Sequence, residues 1–260
     1  MDDFTLINNS INNFIQKQVQ TGNVKGVVIG MSGGIDSSVV AYSASGALGK
    51  ERVLGLILPD KDITPQQDID DAVQVCSVLE IEHKIIYINS IKNHFLNSVE
   101  STGNNLVKGN MLSRIRMCIL YYYANLLNRF VIGTANKTEI AIGYFTKYGD
   151  GASDLFPIGD LYKTQVKGFA RFLNISNTII NKKSSARLWK DQQTEDEIGL
   201  SFDDLDALLT YLDKRKPNTA SILSLKDAFP LIPQDKINHI MNLIKKNEHK
   251  FSFPPICILD

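Results

Sequence analysis

One junction constrains this chain more than any other. The apolar run Val27-Val28-Ile29-Gly30-Met31 leads into Ser32-Gly33-Gly34-Ile35-Asp36-Ser37-Ser38 and then Val39-Val40-Ala41. The run reads as a buried strand and the last three residues as the start of a helix, with a glycine-serine turn between them. That order dictates an α/β arrangement. It also sets unpaired helix N–H groups and the positive end of a helix dipole at the end of a strand, where an anion is favoured. Two glycines let phosphate oxygens approach the backbone, and the serines add donors. Asp36 repels phosphate unless a cation sits between them, so it points to Mg²⁺. No Gly-Lys-Ser/Thr follows, which excludes the Walker loop. An ordinary Gly-rich turn with a capping Asp or Ser accounts for the same residues without a ligand.

The alternation of strand and helix recurs. Phe4, Ile7, Ile11, Phe14, Ile15 and Val19 predict an amphipathic helix ended by Thr21-Gly22-Asn23. Strands are predicted at 24–31, 53–58, 84–88 and 129–134. Helices are predicted from the loop to Leu48, over 64–79, through Ile91, Phe95 and Val99, over 110–127, and from Lys137, with a polar loop at 101–108. This rhythm makes a parallel sheet with helices on both faces and a ligand crevice at the carboxyl ends of its strands. Beyond Gly143 the pattern breaks. Residues 143–157 are irregular, a helix is expected at 162–173, and small helices at 202–212 and 236–244. The polar stretch 181–197, with the only tryptophan, Trp189, reads as a lid. The last third is expected to pack against the sheet, so that 1–260 form a single domain.

With 28 basic and 28 acidic residues the formal net charge is zero, which removes non-specific attraction to nucleic acid or anionic membrane. Cys76, Cys118 and Cys257 are scattered and odd in number, as expected of reduced thiols in a cytoplasmic protein. The N-terminus has no basic-apolar signal pattern, and no apolar run reaches membrane-spanning length.

Other stretches can carry chemistry. Gly133-Thr134-Ala135-Asn136-Lys137-Thr138-Glu139 is a second strand-turn-helix junction facing the same crevice. Thr134 can contact a nucleotide there and Glu139 can supply a second carboxylate for Mg²⁺. A Thr cap with Glu near N3, of structural value only, reads equally well. Arg114 and Arg116 lie two apart on one helix, so at most one faces a given site, and a salt bridge explains either. Lys147, Asp150 and Asp154 lie in the Gly-rich loop and Lys163 follows Gly159-Asp160; each also reads as an ordinary surface residue. His83, His94 and His239 show no ligand spacing, and His249-Lys250 alone reads as a fraying tail.

Taken in order, these stretches resemble the ammonia-dependent NAD synthetases, a family of ATP pyrophosphatases whose signature SGGxDS matches residues 32–37. Lys108-Gly109-Asn110 with Arg114-Ile115-Arg116-Met117 matches a second stretch of that family. Gly133–Glu139 with 143–151, and Pro157-Ile158-Gly159-Asp160-Leu161-Tyr162-Lys163-Thr164, match two more. Together they separate it from the GMP synthetases, asparagine synthetases and tRNA-modifying enzymes that share the signature. The resemblance covers nearly the whole chain. It implies an α/β fold with an open parallel sheet, helices on both faces (the adenine-nucleotide α-hydrolase kind) and C-terminal helices.

The implied activity is that of a carbon–nitrogen ligase. The nicotinate carboxylate of deamido-NAD attacks the α-phosphate of ATP, and ammonia then displaces AMP from the adenylate. By resemblance ATP meets Gly30, Met31, Ser32, Gly33, Gly34, Ile35, Asp36, Ser37, Thr134, Lys163 and Ser185, with Mg²⁺ on Asp36 and Glu139. Deamido-NAD meets Arg114, Lys147, Asp154, His249 and Lys250, and Asp150 lies near the nicotinate and the incoming ammonia in a catalytic role. A homodimer with substrate near its interface is also implied, and free ammonia is expected as nitrogen source because no glutaminase segment is read. The chain departs from the family at Ser184-Ser185-Ala186-Arg187-Leu188, where Arg187 replaces an acid, and at Asp191-Gln192-Gln193-Thr194-Glu195. No role is assigned within 187–196. Another ATP pyrophosphatase acting on a different carboxylate, or an inactive nucleotide-binding protein, are the alternatives.

Overall fold

The computed structural model describes residues 2–100, 102–214 and 222–258. Four parallel strands, β1 (Val27–Gly30), β2 (Val53–Ile57), β3 (Glu82–Ile85) and β4 (Phe130–Ile132), lie in the order β3-β2-β1-β4. Val27 pairs with Val53 on one side and Phe130 on the other, so β1 is central. Its alternate side chains enter two cores. Val27, Ile29 and Met31 pack with α1 (Phe4–Thr21), α2 (Ile35–Leu48), α3 (Gln66–Val78) and α7 (Lys163–Phe172). Val28 joins Leu54, Leu56 and Val131 against Leu112, Ile115 and Ala124 of α5 (Asn105–Leu127). Burial on both faces is why β1, β2 and β4 read as unbroken apolar runs.

Two boundaries differ notably from the sequence reading. The third strand is Glu82–Ile85 rather than 84–88. It is an edge strand, paired only with β2, and the apolar Ile86 and Ile88 instead hang on the Ile57 and Pro59 carbonyls as the chain turns toward α4 (Asn89–Asn97). The apolar face of α4 is largely open, with Ile91 45% and Phe95 48% exposed. Helix α5 begins five residues early because Asn104 accepts the Leu106 and Val107 N–H groups at 2.9 and 3.2 Å. Ser101, the first residue of the expected loop, lies outside the described residues.

The short helices α6 (Lys137–Ile142), α8 (Asn177–Ile180) and α9 (Thr194–Ile198) connect the sheet to α10 (Phe202–Lys214), α11 (Ile222–Ala228) and α12 (Gln234–Asn247). The last three do not pack on the sheet as expected. Leu205, Leu208, Leu209, Leu225, Ile237 and Ile240 form a core of their own, closed by Ile142 of α6 and by Tyr162. Among the described residues no helix is long and apolar enough to cross a membrane.

The chain runs outward from β1 to β2 and β3, then returns to place β4 on the other side of β1. That reversal opens a crevice between the carboxyl ends of β1 and β4, where ligands bind in open α/β sheets.

Candidate active site

The loop after β1 leaves its helix end open. Gly34 is the N-cap of α2, and no side chain caps it. Ser37 and Ser38 turn their hydroxyls back to the Gly34 carbonyl, at 3.1 and 2.8 Å, instead of covering the N–H groups. The capping alternative for this turn is therefore not what the residues do. Gly33 has φ +73°, and a Cβ there would lie 2.1 Å from the Asp68 carbonyl oxygen. Only glycine fits so close to α3 in that conformation.

Asp36, in the first turn of α2, faces across the crevice. Asn136 Nδ2 donates to one of its oxygens at 3.0 Å and Lys163 Nζ to the other at 2.5 Å. Lys163 Nζ also lies 3.8 Å from Glu139 Oε1. Lys163 is 1% exposed. Burial works against its charge, but the Asp36 and Glu139 carboxylates outweigh it and hold the ammonium above its ordinary pKa. Glu139 is pushed up to about 8, by burial first and by the Asp36 charge second, with Lys163 opposing. Two carboxylates thus compete for one cation.

Glu139 also answers the capping question. A capping box is present, but its cap is Asn136, not Thr134: Asn136 Oδ1 accepts from Glu139 N at 3.0 Å and Glu139 Oε2 from Asn136 N at 3.3 Å. One Glu139 oxygen serves the helix end and the other faces Lys163, so the structural and the chemical readings hold together. Among the described residues no group of three or more His, Cys, Asp or Glu is set to hold a metal. Asp36 and Glu139 alone fit Mg²⁺ that arrives with phosphate oxygens, since that ion takes one or two protein carboxylates and completes its shell from substrate and water.

The second group of expected residues gathers around the 143–151 loop. Arg114 and Arg116 diverge as their spacing requires. Arg114 donates to the Lys147 carbonyl at 3.3 and 3.2 Å, whereas Arg116 Nε donates to Leu58 O at 3.1 Å. Asp150 Oδ1 accepts from Ser113 Oγ at 2.6 Å and Thr146 N at 3.0 Å. The His249-Lys250 segment does not fray. Lys250 Nζ donates to the Gly143 and Phe145 carbonyls at 2.6 and 2.7 Å, and Lys147 Nζ donates to His249 O. Burial pulls the Lys250 pKa down. Asp154 has partners of its own. Its carboxylate accepts from Val131 N at 2.7 Å and from Tyr121 OH at 3.3 Å, extending the hydrogen bonding of β4.

The expected lid lies against the first loop. Lys182 Nζ donates to Gly33 O and to Asp68 Oδ1, each at 2.9 Å, and pairs with Asp71. Arg187 Nε donates to Asp68 Oδ2 at 2.7 Å, and Ser185 Oγ accepts from Arg187 N at 3.1 Å. Thr194–Ile198 within the stretch is helical, which its polar sequence concealed.

With this geometry in hand, comparison with known proteins decides the lineage. The NAD synthase family profile matches residues 7–254. The chain belongs to the NAD synthase family. An NH(3)-dependent NAD(+) synthetase of Thermococcus sibiricus is 44% identical over 97% of this chain and 96% of its own length. That of Archaeoglobus fulgidus is 41% identical over 98% and 97%. An NMN synthetase structure from Francisella tularensis superposes with a TM-score of 0.87 at 32% identity, covering 100% of both chains. The NH3-dependent NAD synthetase of Campylobacter jejuni, in complex with a nitrate ion, gives 0.82 at 33% identity, covering 99% of this chain and 100% of that one.

The candidate site of this NAD synthase family member also contains residues that sequence reasoning passed over. Asn136 read as part of a turn, yet it is the one neutral group that bridges Asp36 to α6. Asp68 and Asp71 drew no reading of their own, although their i, i+3 spacing shares a face and their side chains are 6% and 4% exposed. Ser113 lay one residue before Arg114, and nothing in the sequence marked it as the partner of Asp150.

Proposed function

We propose that this chain amidates deamido-NAD to NAD, consuming ATP and ammonia and releasing AMP and pyrophosphate. The observation that carries the reading is the convergence of Asp36, Glu139 and Lys163 beside an uncapped helix N-terminus. The nicotinate carboxylate forms a bond to the α-phosphorus as the bond to the bridging oxygen of pyrophosphate breaks. Ammonia then attacks the carboxyl carbon, loses a proton, and AMP leaves with the acyl oxygen.

In this reading the N–H groups of Gly33 to Ser37 and the Lys163 ammonium receive the charge that develops on the departing pyrophosphate. Gly30 and Met31 bring the backbone to the nucleotide, and Thr134 and Ser185 offer hydroxyls to it. Asp36 and Glu139 would hold Mg²⁺, which would supply charge neutralisation of the leaving group. Arg114, Lys147, His249 and Lys250 form the side of the pocket assigned to deamido-NAD. Asp150, fixed by Ser113, faces the incoming ammonia. Asp154 belongs to the deamido-NAD side as well, while its carboxylate also bonds the Val131 N–H of β4. Residues 1–260 act as one unit, with 181–197 as a strap over the nucleotide.

Incubation of the purified protein with ATP, Mg²⁺, ammonium and deamido-NAD is expected to yield NAD, AMP and pyrophosphate in equal amounts. ADP and phosphate as products would exclude adenylation. Nicotinate mononucleotide belongs in a parallel assay, because the Francisella tularensis structure with the 0.87 match is an NMN synthetase. Faster turnover of the mononucleotide would reassign the substrate and leave the chemistry intact. Asp36→Asn is expected to lower kcat about 100-fold or more, the usual scale for losing a preorganised electrostatic group, without loss of secondary structure by circular dichroism.

The protein acts as a homodimer in this reading, supported by the open apolar face of α4 and by Tyr122 and Leu126 on the outer side of α5, 65% and 64% exposed. Its three free thiols suit the cytoplasm.

A further inference from the structure

Asp206 takes no part in the chemistry above, yet it is a carboxylate 4% exposed, on a helix belonging to the C-terminal core. Burying such a group without partners is costly, and its partners are specific. Oδ1 accepts from Thr138 Oγ1 at 2.5 Å and Oδ2 accepts from Thr164 N at 2.8 Å. Thr138 Oγ1 in turn accepts from Lys163 N at 2.9 Å.

These three bonds tie three elements at one point. Thr138 is the second residue of α6 and is followed directly by Glu139. Lys163 and Thr164 are the first two residues of α7, whose end N–H groups have no partner within their own helix. An anion at this end also suits the helix dipole. Two of those N–H groups are taken by Thr138 and Asp206, across a gap of 25 and 42 residues of sequence. The backbone from which Lys163 reaches Asp36 is therefore fixed, and it is fixed to the element that carries Glu139. The far wall is Phe202, also on α10, with Lys163 Nζ 5.3 Å from its ring centroid.

We propose that Asp206 is a positioning residue for the reaction: through Thr138 it sets the Lys163 ammonium between Asp36 and Glu139. This rests on the assignment of Lys163 to the pyrophosphate side of ATP. The C-terminal helices are thereby part of the catalytic apparatus rather than a cover for it. An amide at 206 keeps the shape but cannot accept two hydrogen bonds in the same arrangement, because its NH₂ faces a donor. Valine at 138 keeps the shape and loses both bonds of the hydroxyl, whereas serine keeps them.

The test is steady-state kinetics of the full chain for Asp206→Asn, Thr138→Val and Thr138→Ser, with thermal unfolding of each. A shift of about 1 Å in a catalytic group costs on the order of 100-fold in rate. The expected result is a loss on that scale in kcat for the Asn and Val variants, with the KM for deamido-NAD unchanged and the fold retained. Thr138→Ser is expected to keep wild-type kcat. Folded Asn or Val variants with wild-type kcat would overturn the proposal, as would equal losses in the Ser and Val variants. If Asp206→Asn does not fold, the Val and Ser pair decides.

A readout independent of NAD formation is the labelling of Lys163 by an amine-reactive reagent, followed by peptide mass analysis. Lys163 is expected to be protected in the wild type and Thr138→Ser and labelled in folded Thr138→Val. Equal protection in all three would overturn the positioning role. Should the wild type make no NAD while the labelling pattern holds, the substrate assignment fails and the positioning of Lys163 stands.

Discussion

At the scale of single residues, Lys163 decides the electrostatics of the site. Its ammonium is kept charged by Asp36 at 2.5 Å, and its reach to Glu139 is longer, at 3.8 Å, so Glu139 is left the less well compensated of the two acids. Burial first and the Asp36 charge second hold Glu139 up at about 8, and Lys163 at that distance only partly opposes them. Another residue shows the same burial effect without a partner. Cys76 is fully buried among apolar side chains, and desolvation pushes its thiol up to about 12. The thiolate is the reactive form and has the higher charge, so burial suppresses it. At pH 8, well below that value, the Cys76 thiol stays protonated. Alkylation of the native protein at pH 8 is expected to modify the exposed Cys257 and to spare Cys76, as read by peptide mass analysis. Modification of Cys76 at the rate of Cys257 would contradict its burial.

At the scale of elements, charge helps to hold the strap 181–197 in place. Lys182 and Arg187 share the carboxylate of Asp68, and Lys182 reaches on to Asp71. Asp68→Asn weakens both contacts. Charge-assisted hydrogen bonds of this kind are worth about 2 kcal/mol, so opening of the strap, and cleavage within it by trypsin, is expected to become about 30-fold faster. No change in the cleavage pattern would show that the strap is fixed by something else. This element also marks where sequence reading ends. The strand-turn-helix junctions at 27–41 and 130–139 were legible because periodicity and glycine content are local properties. The pairing of Arg187 with Asp68 spans 119 residues, and no local pattern encodes it. The early start of α5 was missed for a smaller reason, since Asn104 reads as a loop residue until its carbonyl is seen to take two N–H groups. Edge strand β3 was misplaced because an apolar run marks burial, and here the burial belongs to the turn beyond the strand.

At the scale of the whole molecule, two questions remain open to direct measurement. Helices α4 and α5 present Phe95, Tyr122 and Leu126 outward, and a face of that kind is costly to leave in water. A solution mass of twice 29.0 kDa is expected by light scattering, and Leu126→Glu is expected to return the single-chain value. A wild-type mass of one chain would remove the dimer from the proposed function. The second question is one of timing. Asp36 meets Asn136 across 100 residues and Lys163 across 127, and Lys163 depends in turn on α10. Closing long loops costs entropy before the contacts are gained, so pairings this distant form late. The crevice is therefore completed only after both halves of the chain have come together. Refolding from denaturant should regain helical signal first and enzymatic turnover last, which makes activity the stricter witness of a finished fold.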